Sequence, residues 1–370
     1  MKSRIGIQMF GFEKTYTFPF KYDIPSYTQV FLEEASVIKR WVKFIKRSLY
    51  LNLKRQKSLE IRNILPEHRS ILWINISAPS LGDSLMDLSS RVLLRDRKVD
   101  LFTDKKNASL YQNDSVFSRI FTCKAEFIQY KYDLVIIDSF STRSIDIKTN
   151  ILPLNAFVGM FGYYNGPEVN RVLFSFHQMN HLLGYVKSET ETNKIAKVSM
   201  SIAIDDQNIV KKTELPDNYI AIALGGEWAY RTYNQWNKVV DKLITQDNKL
   251  NIVLIGSGNA KKAATILLDN FSQGNIFDCV AKFSLNQTAQ IIKQAKILLS
   301  CDGGLMHAAN AVNTPIVPLF ARLAPQMQLT NSSCAFPLLD KNDVNNIPVD
   351  DILNKYYEAS SFVDNHPQSE

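Results

Sequence analysis

Between Ser70 and Phe320, short apolar runs alternate with stretches whose apolar residues recur every three or four positions. ILWINIS (71–77), KVDLFTD (98–104) and YDLVIIDSFS (132–141) predict strands, with a helix over SLMDLSSRVLLRD (84–96). A polar stretch, KSETETNKIAK (187–197), closes this series after FHQMNHLLGYV (176–186). A second series opens at DNYIAIALGG (217–226), which predicts a strand. It continues through a helix over 233–246, a strand at NIVLIGSG (251–258), and helices over 260–270 and 285–295. ILLSCDGG (297–304) and TPIVPLF (314–320) supply its last two strands, and VDDILNKYYEASSFV (349–363) a terminal helix. Strand–helix alternation of this kind predicts α/β architecture: two doubly wound, Rossmann-like units, each a parallel sheet covered on both faces, with a cleft between them. Ligands of such sheets sit beyond the carboxyl ends of the strands. Three loops rich in glycine or polar residues fall there: SAPSLGDS (77–84), ALGGEWAYR (223–231) and SCDGGLMH (300–307).

Residues 1–69 follow a different pattern and form an N-terminal extension. Within Ser36–Lys57, Ile38, Trp41, Val42, Ile45 and Leu49 fall at helical spacing. Lys39, Arg40, Lys43, Lys46, Arg47, Lys54, Arg55 and Lys57 fill the intervals, and no acid occurs among them. A basic amphipathic helix suits an anionic membrane surface; the alternative is a helix packed on the body with a solvated basic face. The expected units are 70–195 and 196–345, followed by a C-terminal helix and tail over 346–370.

Composition narrows the partners. The chain has 370 residues, 45% of them hydrophobic, enough for two ordinary cores. Its net charge of +7 favours an anionic partner: nucleic acid, a membrane face or a phosphorylated substrate. The basic residues concentrate in one helix and no nucleic-acid motif is present, so nucleic acid is not expected. Cys123, Cys279, Cys301 and Cys334 are scattered without a CxxC pair and suit free thiols in a reducing compartment. The N-terminus lacks the apolar core of a signal peptide, and no window approaches about 18 uncharged apolar residues, so a cytoplasmic protein is expected.

The chemistry concentrates in the loops. A strand that feeds Asp302-Gly303-Gly304 and then a helix leaves backbone N–H groups unpaired where the helix dipole favours an anion. This is either a diphosphate cradle or a plain strand–helix turn. Asp302 would accept loop N–H bonds as an N-cap does. His307, on the first turns of that helix, faces either the cleft or the strand behind. Asp83 precedes a helix, where aspartate commonly serves as an N-cap. His177 and His181, at i,i+4, have a zinc-compatible spacing but no third ligand, and read as core or surface histidines. Trp73 and Trp236 read as core aromatics.

LSCDGGLMHAANAVNTPIVPLF (299–320) resembles the signature of glycosyltransferase family 9, the bacterial heptosyltransferases. In that signature an aspartate, a small hydroxyl residue and a glycine precede a histidine, an alanine-rich helix and a TP-V-LF strand. FSLNQTAQIIKQAKILLS, ALGGEWAYRTYNQW and ILWINISAPSLGDSL are similar to further family segments, so the resemblance spans about residues 70–345. It implies a GT-B fold and inverting, metal-independent transfer of heptose from ADP-heptose to the lipopolysaccharide inner core, with no cofactor. It also implies a lipid-linked core oligosaccharide acceptor at the inner face of the inner membrane, where the enzyme would be peripheral. By resemblance, Asp83 is the catalytic base, and Gly82 and Arg143 lie on the acceptor side. Arg143 would meet an acceptor phosphate or remain solvated. Gly225, Gly226, Arg231, Asn259, Asp302, Gly303, Gly304, Leu305 and His307 would bind the donor.

The chain departs from the family in four places. Gly303 replaces a serine or threonine, Asn259 or Ala260 a ribose-binding glutamate, and Ala321 a glycine, while residues 1–70 have no counterpart. These departures leave two alternatives: a GT-B transferase using another nucleotide sugar, or a non-catalytic nucleotide-sugar-binding scaffold at the membrane.

Overall fold

The computed structural model describes residues 36–76, 78–126, 129–165, 169–271 and 275–366. The expectation for the N-terminal 35 residues falls outside them. The chain divides between Ala196 and Lys197 into two compact units.

The first unit begins with helix α1 (Val37–Leu53). Five parallel strands follow: β1 (Ser70–Asn75), β2 (Lys98–Thr103), β3 (Phe117–Phe121), β4 (Leu134–Ser139) and β5 (Phe157–Gly162). Their order is β3-β2-β1-β4-β5. Helices α2 (Leu81–Asp87), α3 (Lys105–Ala108), α4 (Thr142–Ile151), α5 (Arg171–Leu182) and α6 (Glu189–Ile195) complete the unit. The strands are near-continuous apolar runs because both faces are buried: Ile71, Leu72, Trp73 and Ile74 are all inaccessible.

The second unit begins with α7 (Ile204–Lys211) and β6 (Ile220–Ala223). It continues through α8 (Trp236–Gln246), β7 (Ile252–Ile255), α9 (Lys261–Asn270), β8 (Ile276–Asp278), α10 (Leu285–Gln294), β9 (Leu298–Cys301) and α11 (Gly304–Ala311). It ends with β10 (Ile316–Ala321), β11 (Leu338–Asp340) and α12 (Val349–Asn365). The order β8-β7-β6-β9-β10-β11 repeats that of the first sheet with one strand added. Each sheet therefore reverses direction beside its first strand, between β1 and β4 and between β6 and β9. This is where doubly wound sheets bind ligands.

Three expectations change. The helix expected over 84–96 ends at Asp87 and continues as a tighter 3-10 turn over Ser89–Leu94. There Ser89 Oγ donates to the Met86 carbonyl and Ser175 Oγ to that of Asp87, both at 2.7 Å, so hydroxyls take carbonyls the helix would have used. Strand β10 is not the last, because β11 pairs with it at the sheet edge.

Helix α1 packs through a face the periodicity did not single out. Phe44 and Leu51 are buried, and Trp41, Arg47 and Tyr50 half-buried. Arg47 donates to the carbonyls of Tyr163 (2.9 Å) and Tyr164 (3.2 Å), and burial lowers its pKa. Ile38, Val42, Ile45 and Leu49 are left exposed. Among the described residues, no helix is long and apolar enough to cross a membrane.

Candidate functional site

In the first unit, α2 is the helix that follows β1. Ser80 is the N-cap, so Asp83 occupies the third helical position, not the cap position expected for it. The two residues form a capping box. Ser80 Oγ accepts from the Asp83 amide (3.1 Å), and Asp83 Oδ2 accepts from the amide (3.2 Å) and hydroxyl (2.6 Å) of Ser80.

The other carboxylate oxygen, Oδ1, lies 3.3 Å from Arg171 Nη1. Arg171, at the start of α5, also forks onto Asp87, with Nε–Oδ1 at 2.7 Å and Nη2–Oδ2 at 2.6 Å. Asp87 is buried; burial pushes its pKa up, and the Arg171 charge opposes that. One guanidinium thus grips a buried carboxylate and steadies a second, partly exposed one. Capping uses Oδ2 and leaves Oδ1 facing the Arg171 guanidinium. Gly82 is buried within α2.

Arg143, on the first turn of α4 after β4, donates to the Ile76 carbonyl (3.1 Å) and to Asp104 (2.8 Å), so it ties the end of β4 to those of β1 and β2 while its side chain stays largely exposed. Arg171 and Asp87 were missed in the sequence. The legible signal was Asp83 and Asp87 at i,i+4, two acids on one helix face in need of a cation.

A cavity of about 510 Å³ lies in the same unit, lined among others by Arg62, Phe161, Tyr163, Phe174, Gln178 and His181. The Phe161 ring also lies 5.5 Å from the Arg171 guanidinium, so the cavity adjoins the Asp83 network.

In the second unit, β9 ends at Cys301 and α11 starts at Gly304. The cap position falls on Gly303, which has no side chain to cap with, so the capping role expected of Asp302 is replaced. Its buried carboxylate holds Arg231, whose Nη2 donates to Oδ2 (2.5 Å) and to the Asp302 carbonyl (3.1 Å). The Gly304 and Leu305 amides open α11 and have no intrahelical acceptor, and the helix dipole adds to their positive field. A Cβ at Gly303 or Gly304 would meet nothing within 4 Å. The space in front of this turn is open.

Gly225 is different. Its φ is +82°, and a Cβ there would sit 2.8 Å from Asn259 Oδ1. Asn259 donates to the Gly226 carbonyl (2.9 Å) and accepts from Ser257 (2.8 Å), tying the turns after β6 and β7 together. The structure thus brings Gly225, Gly226 and Asn259 into one contact and Arg231 and Asp302 into another. Leu305 packs partly into the core and His307 is buried.

The zinc-spaced histidines have other partners. His177 Nε2 meets Asn193 Oδ1 at 2.6 Å, and the His181 ring packs on Tyr185. Burial lowers the pKa of both. Among the described residues, no three His, Cys, Asp or Glu side chains cluster as metal ligands. Trp73 and Trp236 are both buried.

Residues 163–338 match the family described as glycosyltransferase family 9 (heptosyltransferase). Among curated proteins, none matches the chain by sequence. Several solved structures share its fold. A family 9 glycosyl transferase from Veillonella parvula gives a TM-score of 0.66 at 13% identity, covering 80% of this chain and 98% of that one. ADP-heptose lps heptosyltransferase II of E. coli gives 0.64 at 16%, covering 80% and 99%. The E. coli heptosyltransferase WaaC, solved with ADP, gives 0.61 at 16%, covering 78% and 99%. At these identities the likenesses establish the two-sheet architecture.

Proposed function

We propose that this glycosyltransferase, whose residues 163–338 match glycosyltransferase family 9, moves heptose from ADP-heptose onto the lipopolysaccharide inner core, with inversion and without a metal. The observation that carries this is the second unit's open turn at 302–305, where two unpaired amides and the Arg231 guanidinium converge at the point of sheet reversal. An anionic diphosphate is the ligand such a turn suits. Related structures were solved with ADP and with ADP-2-deoxy-2-fluoro heptose.

In this scheme Asp83 Oδ1 takes the proton of an acceptor hydroxyl. The hydroxyl oxygen attacks the anomeric carbon from the face opposite the leaving group, and the bond to the diphosphate breaks. The departing charge is received by the Gly304 and Leu305 amides and by Arg231 Nε and Nη1, since Nη2 is held by Asp302. The cavity beside Phe161, with its aromatic wall and the polar tips of Gln178 and Arg62, suits a sugar acceptor. The acceptor would be lipid-linked and the enzyme peripheral on the inner face of the inner membrane.

Asp83→Asn should abolish transfer while ADP affinity, measured by calorimetry, stays unchanged. Near-normal turnover would remove Asp83 from the chemistry. A different nucleotide sugar is favoured by one observation, that both ends of the Asn259 amide are engaged by its own chain, which weakens a ribose contact there. Tighter binding of UDP or GDP than of ADP would establish that alternative. A scaffold without catalysis would release no ADP from ADP-heptose in the presence of acceptor.

A further inference from the structure

Helix α1 has two apolar faces and buries one. Phe44 and Leu51 enter the core of the first unit, with Arg47 clamped on carbonyls behind them. Ile38, Val42, Ile45, Leu49 and Leu53 are 75%, 58%, 46%, 57% and 79% exposed. At about 100° per residue these five occupy an arc of about 80°, centred about 150° from the packed face. Lys46, Lys39 and Lys43 run along one border of that arc, and α1 has no acidic residue.

An aliphatic row of this length does not belong in water: soluble monomers rarely expose contiguous apolar patches, and those that occur mark interaction surfaces. A second copy docking by the same face would bring two lysine rows together, which repel. A bilayer carrying anionic lipid answers both features, since the aliphatic side chains enter the headgroup–acyl boundary while the lysines reach phosphates. We propose that the outer face of α1 seats the first unit on an anionic phospholipid surface, with Val42, Ile45 and Leu49 inserted. This rests on the transferase proposal only in expecting a bilayer nearby; the surface itself stands on α1.

The test is cosedimentation of the full chain with vesicles of phosphatidylcholine alone or mixed with phosphatidylglycerol. Binding should require phosphatidylglycerol and weaken as salt is added. Ile45→Ser/Leu49→Ser should lower the partition coefficient roughly tenfold or more, with the melting temperature unchanged because both side chains face away from the core. Lys39→Glu/Lys46→Glu should remove the preference for phosphatidylglycerol.

Wild-type chain that ignores both vesicle types, or a serine variant that binds like wild type, overturns the proposal. So does a lowered melting temperature in the serine variant, which would mean its own chain covers the stripe. So does a dimer in sedimentation velocity that the same substitutions dissolve. Asp83→Asn should still bind vesicles, and the serine variant should still glycosylate a water-soluble acceptor, so failure of docking and failure of the transferase proposal are separable.

Discussion

Arg171→Met tests the network that steadies Asp83. It removes the bonds at 2.7 and 2.6 Å to Asp87, whose side chain is 1% exposed, and the 3.3 Å contact with Asp83. Breaking a buried pair from one side costs roughly 3–5 kcal/mol, because the remaining carboxylate keeps its charge without compensation. It can escape by taking up a proton, and each unit of pKa rise is then worth about 1.4 kcal/mol.

The sign of the pH dependence follows. Burial already raises the pKa of Asp87 and Arg171 opposes it, so removing Arg171 raises it further. A carboxyl whose folded pKa lies above its unfolded value binds protons on folding. Its contribution is greatest at low pH and is lost as pH rises through the folded pKa. The variant's deficit should therefore be small, roughly 1–2 kcal/mol, near pH 5 and grow to about 3–5 kcal/mol near pH 7.5. Urea unfolding across that range measures it. Asp87→Asn/Arg171→Met should recover most of the loss at the higher pH. A deficit under about 1 kcal/mol near pH 7.5 refutes the argument, as does a pH-independent one. At permissive pH, transfer should fall while ADP affinity, which the proposed scheme assigns to the second unit, does not change.

Two further predictions concern glycines that differ in kind. Gly225→Ala places a Cβ at φ +82°, 2.8 Å from Asn259 Oδ1. The left-handed backbone and the overpacking together should cost roughly 2–4 kcal/mol and lower the second unit's melting temperature by on the order of 10 °C. A drop of under about 2 °C would mean the turn relaxes freely. Gly303→Ser meets only open space on an extended backbone, so stability should stay within about 0.5 kcal/mol. A hydroxyl at that turn adds a donor to a charged ligand, so ADP should bind about tenfold more tightly by calorimetry. Unchanged affinity would place the diphosphate elsewhere.

Strands β1, β2, β4, β6, β7, β9 and β10 were legible because burial on both faces makes them near-unbroken apolar runs. Strands β3, β5, β8 and β11 were not; in β5, Gly159 breaks the pattern where the Phe140 ring lies against the backbone. In α1 the periodicity found the larger apolar face, yet the packed face is built partly from Arg47 and Tyr50. Such side chains bury their stems while their polar ends find carbonyl and carboxylate partners. A hydrophobicity pattern counts them as polar, so it showed the exposed apolar face and not the one that packs on the unit.

The candidate residues were legible one at a time, but their pairings were not. Asp83 with Arg171, and Arg231 with Asp302, are ion pairs between residues far apart in sequence, and no local spacing encodes them. These pairings change the chemistry assigned to the residues. The Arg231–Asp302 pair is close to neutral as a unit, so it offers a diphosphate two remaining N–H edges more than a net positive charge. The α11 amides must then supply a larger share of the stabilisation than a free arginine would have left to them. On this account Arg231→Lys, which keeps the charge but loses the fork, should bind ADP nearly as poorly as Arg231→Met. An affinity for the lysine variant close to wild type would show that charge alone suffices.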